Sequence, residues 1–265
     1  MDIKEFYAKE GEKPLDNILS DGGFVGIMRT IGVIGDSLSS GELESYVDGK
    51  RGCHDYYDIS WGQFIARTTG STVYNFSRGG MTAKEMWLKY GDKCGLWTDE
   101  KKCQAYIIAL GVNDIANQHM EIGNADEIDL ENPDNNPDTV MGYLCRILSK
   151  IKNMQPKARF FFVTMPHDCY KPFDEASALQ TKMCYDIANL YEYSYVIDLN
   201  KYGPVHDEEF KRNFYMSSHL NASGYLLTAK IIMSYIDYII RHNTEDFMNF
   251  GFVGRTTKYN ENYKY

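Results

Sequence analysis

The chain has 265 residues, of which 43% are hydrophobic and 25% charged, and a formal net charge of −9. That is the make-up of a soluble globular protein, long enough to bury a large core within one α/β domain. The acidic balance and the lack of any Lys/Arg-rich block exclude nucleic acid as a partner, because such binding begins with neutralising phosphates. Nor is a membrane partner expected: no window approaches 18 apolar residues, and Ile231 to Ile240 is interrupted by Asp237. Met1-Asp2-Ile3-Lys4-Glu5 has no basic stretch leading into an apolar one, so a cytoplasmic location is expected. Six cysteines (Cys53, Cys94, Cys103, Cys145, Cys169, Cys184) show no Cys-x-x-Cys spacing and read as reduced thiols. No metal and no cofactor are expected.

In chain order, residues 1–29 are mixed and polar, broken by Asp21-Gly22-Gly23, and read as an arm packing on the domain at 30–242. Ile31, Val33 and Ile34 form a β-branched run that predicts a buried strand, ending at Gly35 where Asp36-Ser37 open a loop of small residues. Ser39 to Asp58 reads as a loop carrying Glu42, Glu44, His54 and Tyr56-Tyr57. Trp61, Phe64, Ile65 and Thr68 stand at helical spacing within Ile59 to Thr69, and Gly70 closes that helix. Thr72 to Phe76 is a second strand, followed by Ser77-Arg78-Gly79-Gly80-Met81 and by Thr82, an N-cap for a helix to about Tyr90.

Ala105 to Leu110 is continuously apolar, as a strand covered on both faces should be, and runs into Gly111-Val112-Asn113-Asp114. Gln118 to Asp138 holds seven acids and no Lys or Arg, the pattern of a solvated loop. Thr139 to Met154 is an amphipathic helix stopped by Pro156, and Arg159 to Thr164 a fourth strand. Pro172 to Tyr191 is mostly helical, Tyr195 to Asp198 a fifth strand, Ala222 to Arg241 the last long helix, and 243–265 an irregular tail. Strands alternating with helices imply right-handed crossovers and a three-layer α/β/α fold around a parallel five-stranded, flavodoxin-like sheet.

Ser37, Gly79-Gly80 and Asn113 thus follow three strand ends, where ligands sit in an open parallel sheet. His219, in Met216-Ser217-Ser218-His219-Leu220-Asn221, precedes the last helix, where a base could reach Ser37. His167, after the fourth strand, is expected to line the pocket.

At these residues the chain resembles the SGNH (GDSL-type) hydrolase family. Gly35-Asp36-Ser37-Leu38, Asn75 to Thr82, Gly111-Val112-Asn113-Asp114 and His219 to Tyr225 match its four blocks, in order, between residue 30 and about residue 240. The resemblance implies a serine esterase with Ser37 as nucleophile and His219 as base. It implies an oxyanion hole made by the Ser37 N–H, the Gly80 N–H and the Asn113 side chain, with Gly79 as the adjacent alternative to Gly80. A small acyl ester, such as an O-acetyl group on a carbohydrate or another metabolite, is the expected substrate. The family has Asp three residues before the histidine, where this chain has Met216. A Ser–His dyad is therefore expected, with Nδ1 of His219 bonded to a neutral acceptor, either a carbonyl near Met216 or the Ser217 hydroxyl; the Asp207-Glu208-Glu209 run, the alternative source of a carboxylate, reads as solvated.

Two other readings share the fold. One is a non-catalytic ligand-binding protein that kept it. The other is a phosphate or nucleotide binder, weakened because no P-loop or Gly-x-Gly-x-x-Gly follows a strand.

Overall fold

A computed structural model describes residues 2–260 and 262; of the tail expected at 243–265, residues 261 and 263–265 lie outside the described residues, as does residue 1 of the arm. The central sheet is built from β1 (Thr30–Gly35), β4 (Thr72–Asn75), β5 (Ala105–Ala109), β6 (Arg159–Val163) and β7 (Ser194–Ile197). All its pairings are parallel, in the order β4-β1-β5-β6-β7. The strands appear where apolar runs predict them because each is buried on both faces. Along β6, Phe160 and Phe162 enter one core, with Leu144, Leu148 and Ile187. Phe161 and Val163 enter the other, with Ile65, Ile232 and Ile236. Successive strand side chains point to opposite faces, so a continuous apolar strand needs a helical layer on each side.

Those layers are α2 (Trp61–Thr69) and α6 (Ala222–His242) on one face, and α3 (Val140–Met154) and α4 (Lys171–Ala188) on the other; a one-turn α1 (Ser37–Ser40) precedes α2, and a short α5 (Glu208–Phe214) lies between α4 and α6. The helix starts follow local chemistry. Ser60, Thr139 and Asn221 each accept a backbone N–H of the first turn with their side chains, and Gly70 closes α2 at φ +71°. Residues 2–29 lie along α6, with Arg241 bonded to Glu12 and the Tyr7 carbonyl, and Asp237 accepting the Phe24 N–H. Among the described residues no helix is long and apolar enough to cross a membrane.

One stretch departs from expectation. Ser39 to Asp58 is mostly an antiparallel ribbon of β2 (Glu42–Val47) and β3 (Lys50–Asp55). Its turn, Asp48-Gly49, has positive φ at both residues (51° and 75°), the type I′ geometry whose twist matches the two strands. The polar side chains hid the strands. A second, smaller ribbon, β8 (Tyr215–Met216) with β9 (His219–Leu220), turns at Ser217-Ser218.

Candidate active site

Because β1 lies between β4 and β5, the segments leaving these three strands converge: Gly35 to Ser37, Phe76 to Gly80, and Leu110 to Asn113. Ser37 opens α1, so its N–H has no partner within that turn. Asp36 caps the turn by accepting the Leu38 N–H at 3.1 Å. The buried Tyr225 hydroxyl, from α6, lies 2.8 Å from the Glu42 carbonyl and 3.3 Å from that of Ser37, tying the turn to the start of β2.

The Ser37 Oγ is 2.9 Å from Nε2 of His219. Nδ1 of the same ring is 2.7 Å from Oε1 of Glu44, a carboxylate whose side chain is 0% exposed. The neutral acceptor expected for Nδ1 is therefore corrected to a carboxylate. The Ser217 hydroxyl instead faces Tyr46, at 3.3 Å. Glu44 gets there because the β2/β3 ribbon docks on the β8/β9 ribbon, where Ser218 donates to Glu44 through both its N–H (3.2 Å) and its hydroxyl. Arg51, across the ribbon, adds a bond at 2.8 Å. Burial alone would raise the Glu44 carboxyl, but the bonds from Ser218, His219 and Arg51 outweigh it and hold the group well below the usual carboxylate range. Met216, the position of the family's acid, is 40% exposed.

Gly80 stands at φ +67°, a conformation that glycine adopts freely. The Gly79 N–H is taken by Asp55, at 3.1 and 3.3 Å, whereas the Gly80 N–H meets no acceptor among the described residues. Asn113 comes in beside them: its Nδ2 is 3.2 Å from the Met81 carbonyl and 3.4 Å from Oδ2 of Asp36, while Oδ1 accepts from Asn117 at 2.7 Å. Asp114 is buried, and both its oxygens accept the Ala83 N–H at 3.0 Å, bracing the second block against the third.

His167 does not line the pocket; it is half-exposed and paired with Asp174 at 2.8 Å. Another histidine that sequence alone left without a role, His206, is buried instead. It faces a cavity of about 60 Å³ beneath the serine turn, together with Asp36, Ser39, Met165 and Gln180. Burial pushes His206 down to about 4.

Asp36 is buried too, and desolvation pushes its carboxyl from an ordinary 3.8 up to about 6, against the downward pull of the Leu38 N–H and His219. The stability linked to Asp36 is thus complete below about 3.8 and is lost as the pH rises through about 6. Asp36→Asn, neutral at every pH and an equally good cap, should stabilise the protein by up to about 3 kcal/mol at pH 8 and roughly half that at pH 5. Thermal melts of both proteins at the two pH values check this, and an equal gap at both would rule out a carboxyl titrating there.

The sequence model of the GDSL-like lipase/acylhydrolase family matches residues 33–227. The chain belongs to that family. As a member it is a carboxylic ester hydrolase. A comparison with curated protein sequences gives no match. Among solved structures, a family two carbohydrate esterase from Clostridium thermocellum, in complex with cellohexaose, aligns over 82% of this chain and 65% of its own, at 13% identity and a TM-score of 0.56. A carbohydrate esterase family 2 enzyme from Corynascus thermopiles (Myceliophthora fergusii) aligns over 78% of this chain and 65% of its own, at 18% identity and a TM-score of 0.54. The psychrotrophic esterase EstA from Pseudoalteromonas sp. aligns over 80% of this chain and 98% of its own, at 13% identity and a TM-score of 0.51. At these identities the likeness is one of fold, a parallel sheet between helical layers. Among the described residues, no group of three or more His, Cys, Asp or Glu side chains could hold a metal ion.

Proposed function

We propose that this acylhydrolase cleaves a small acyl ester, an O-acetyl group on a carbohydrate or similar polyol, through a Ser37–His219–Glu44 triad. The observation that carries the reading is the continuous line from Oγ through the imidazole to a buried carboxylate, at 2.9 and 2.7 Å. Ser37 gives its proton to Nε2 and attacks the ester carbonyl. Glu44, accepting a hydrogen bond from Nδ1–H, fixes the tautomer that leaves Nε2 free and stabilises the imidazolium that forms. The protonated Nε2 then hands its proton to the departing alcohol, and water repeats the sequence to release the acid.

Charge building on the carbonyl oxygen is met by the N–H groups of Ser37 and Gly80 and by the Asn113 amide. Gly80 suits this role better than Gly79, whose N–H is already committed to Asp55. Asn113 holds Asp36 only at 3.4 Å, at the limit of a hydrogen bond, so that hydrogen can turn to an oxyanion at little cost. Asn113→Ala should therefore lower kcat by about 10²- to 10³-fold with little change in KM, since the bond forms fully only in the transition state. A well-folded variant with full kcat would remove Asn113 from the hole. The carbohydrate part of the proposal draws support from the two carbohydrate esterases named above.

Labelling by a fluorophosphonate probe tests the reading directly. Wild-type protein should be labelled and Ser37→Ala should not. Folded wild-type protein that resists the probe would favour a binding protein that kept the fold.

A further inference from the structure

The site contains a second carboxylate that the triad does not use. Glu42 and Glu44 are two residues apart on β2 and so point to the same side of the ribbon. Glu44 is bonded to Arg51, Ser218 and His219. Glu42 is different: its side chain is only 8% exposed, yet no Lys or Arg lies within ion-pair distance of it among the described residues. Its Oε1 is 3.5 Å from Nε2 of His219, the nitrogen that also faces Ser37. Its Oε2 lies against Gly79, where a Cβ would collide with it. The exposed Cys53 thiol sits beside it and is pushed up chiefly by its bond to the carboxylate, so it stays protonated as a weak donor.

The surrounding charges do not neutralise Glu42. Arg51 is paired with Glu44 and Arg78 with Glu85, while among the described residues Asp55 accepts only from Ser40 and Gly79. A buried carboxylate without a cation is costly unless something donates to it. Its position says what that donor belongs to. The departing alcohol's oxygen must come within hydrogen-bond distance of Nε2 to receive its proton, and Glu42 Oε1 flanks the same nitrogen. A group on the carbon next to the esterified one lies, in a staggered arrangement, about 3 Å from the ester oxygen, within reach of Glu42.

We infer that Glu42 is a specificity-determining residue that selects esters whose alcohol carries a hydrogen-bond donor, hydroxyl or ammonium, on the carbon adjacent to the esterified one. This rests on the esterase reading above and deepens it, since vicinal hydroxyls are what a carbohydrate ester presents. Removing the donor leaves the carboxylate with only the weak Cys53 thiol when the substrate closes over it, and such sites reject analogues lacking the partner.

The test measures kcat/KM for four acetates: ethyl, 2-methoxyethyl, 2-hydroxyethyl and 2-(dimethylamino)ethyl, the last an ammonium at pH 7. Wild-type enzyme should prefer the hydroxyethyl or the ammonium ester over the methoxyethyl ester by about 10- to 100-fold; which of the two leads identifies the donor's source. Glu42→Ala should collapse that preference to within about threefold, whatever it does to the absolute rates. A wild-type ratio near one overturns the inference. So does a preference that survives in Glu42→Ala, or a Glu42→Ala enzyme slowed equally on all four esters, which would make Glu42 a water-positioning residue. If no ester is hydrolysed in a Ser37-dependent way, the esterase reading itself fails and the inference with it; hydrolysis without donor preference sinks the inference alone.

Discussion

Ser37→Ala and His219→Ala should each lower kcat by about 10⁶-fold, and the double variant should lose no more than either alone. In the proposed mechanism the two side chains, 2.9 Å apart, share one proton transfer. Without the imidazole, the Ser37 hydroxyl is a neutral alcohol with no base in line, and the alkoxide it would need is too rare at neutral pH to matter. Without the hydroxyl, the imidazole has nothing to activate for acylation. The residual rate should be that of the oxyanion donors acting with water, which is why a second deletion costs nothing further. Neither change should unfold the protein, because His219 is partly exposed and packs at the rim of the core. The measurement is kcat on an activated acetate for the two single variants and the double, with melting temperatures alongside. A folded His219→Ala enzyme keeping more than about a hundredth of wild-type kcat would take His219 out of the reaction, a limit far above the residual expected of a missing triad member.

Glu44→Gln should lower kcat by about 10⁴-fold with KM little changed, the size of effect seen when a triad acid becomes an amide. The amide presents a donor as readily as an acceptor to Nδ1, so the ring can take the tautomer with its proton on Nε2, facing the serine it should deprotonate. It also removes the negative charge that stabilises the imidazolium. Stability should change with pH as well. The folded carboxyl lies below its ordinary 4.5, so its contribution is present above that value and is lost as the pH falls toward the folded one. In Glu44→Gln that part of the acid sensitivity should disappear. Adding Met216→Asp to Glu44→Gln should restore less than a few-fold of the lost kcat, because Met216 is 40% exposed and the Nδ1 face is already occupied by the docked ribbon. Steady-state kinetics of both variants, with urea or thermal melts between pH 3 and 7, would check this. Recovery of most of the rate by Met216→Asp would mean that the loop can still support the histidine as the family pattern does.

Much of this protein follows from short-range chemistry that a sequence carries openly. Apolar runs such as Arg159 to Thr164 become strands because a segment buried on both faces has to be apolar throughout. Ser60, Thr82, Thr139 and Asn221 start helices because their side chains accept the first free N–H groups. The order of the four blocks, each tied to a strand or helix end, was enough to nominate Ser37, Gly80, Asn113 and His219.

Glu44 was not legible in this way, for a specific reason. The ribbon holding it had a local signature in Asp48-Gly49, the residue pair that favours a type I′ turn, but its strands carry polar side chains on both faces, the buried Glu42 and Glu44 among them, and so lack an apolar face to mark them. Even a correctly drawn ribbon would not have said which of its acids meets the imidazole. Glu44 and His219 are 175 residues apart, and their contact depends on how one ribbon docks on another through Ser218 and Arg51. The sequence by itself determined the strands, the caps and the place of Ser37 at a strand end, since those are set by neighbours a few residues away. Only the tertiary structure decided that Glu44 meets Nδ1 of His219 while Glu42 comes to lie beside Nε2, because that choice depends on long-range packing that no local pattern encodes.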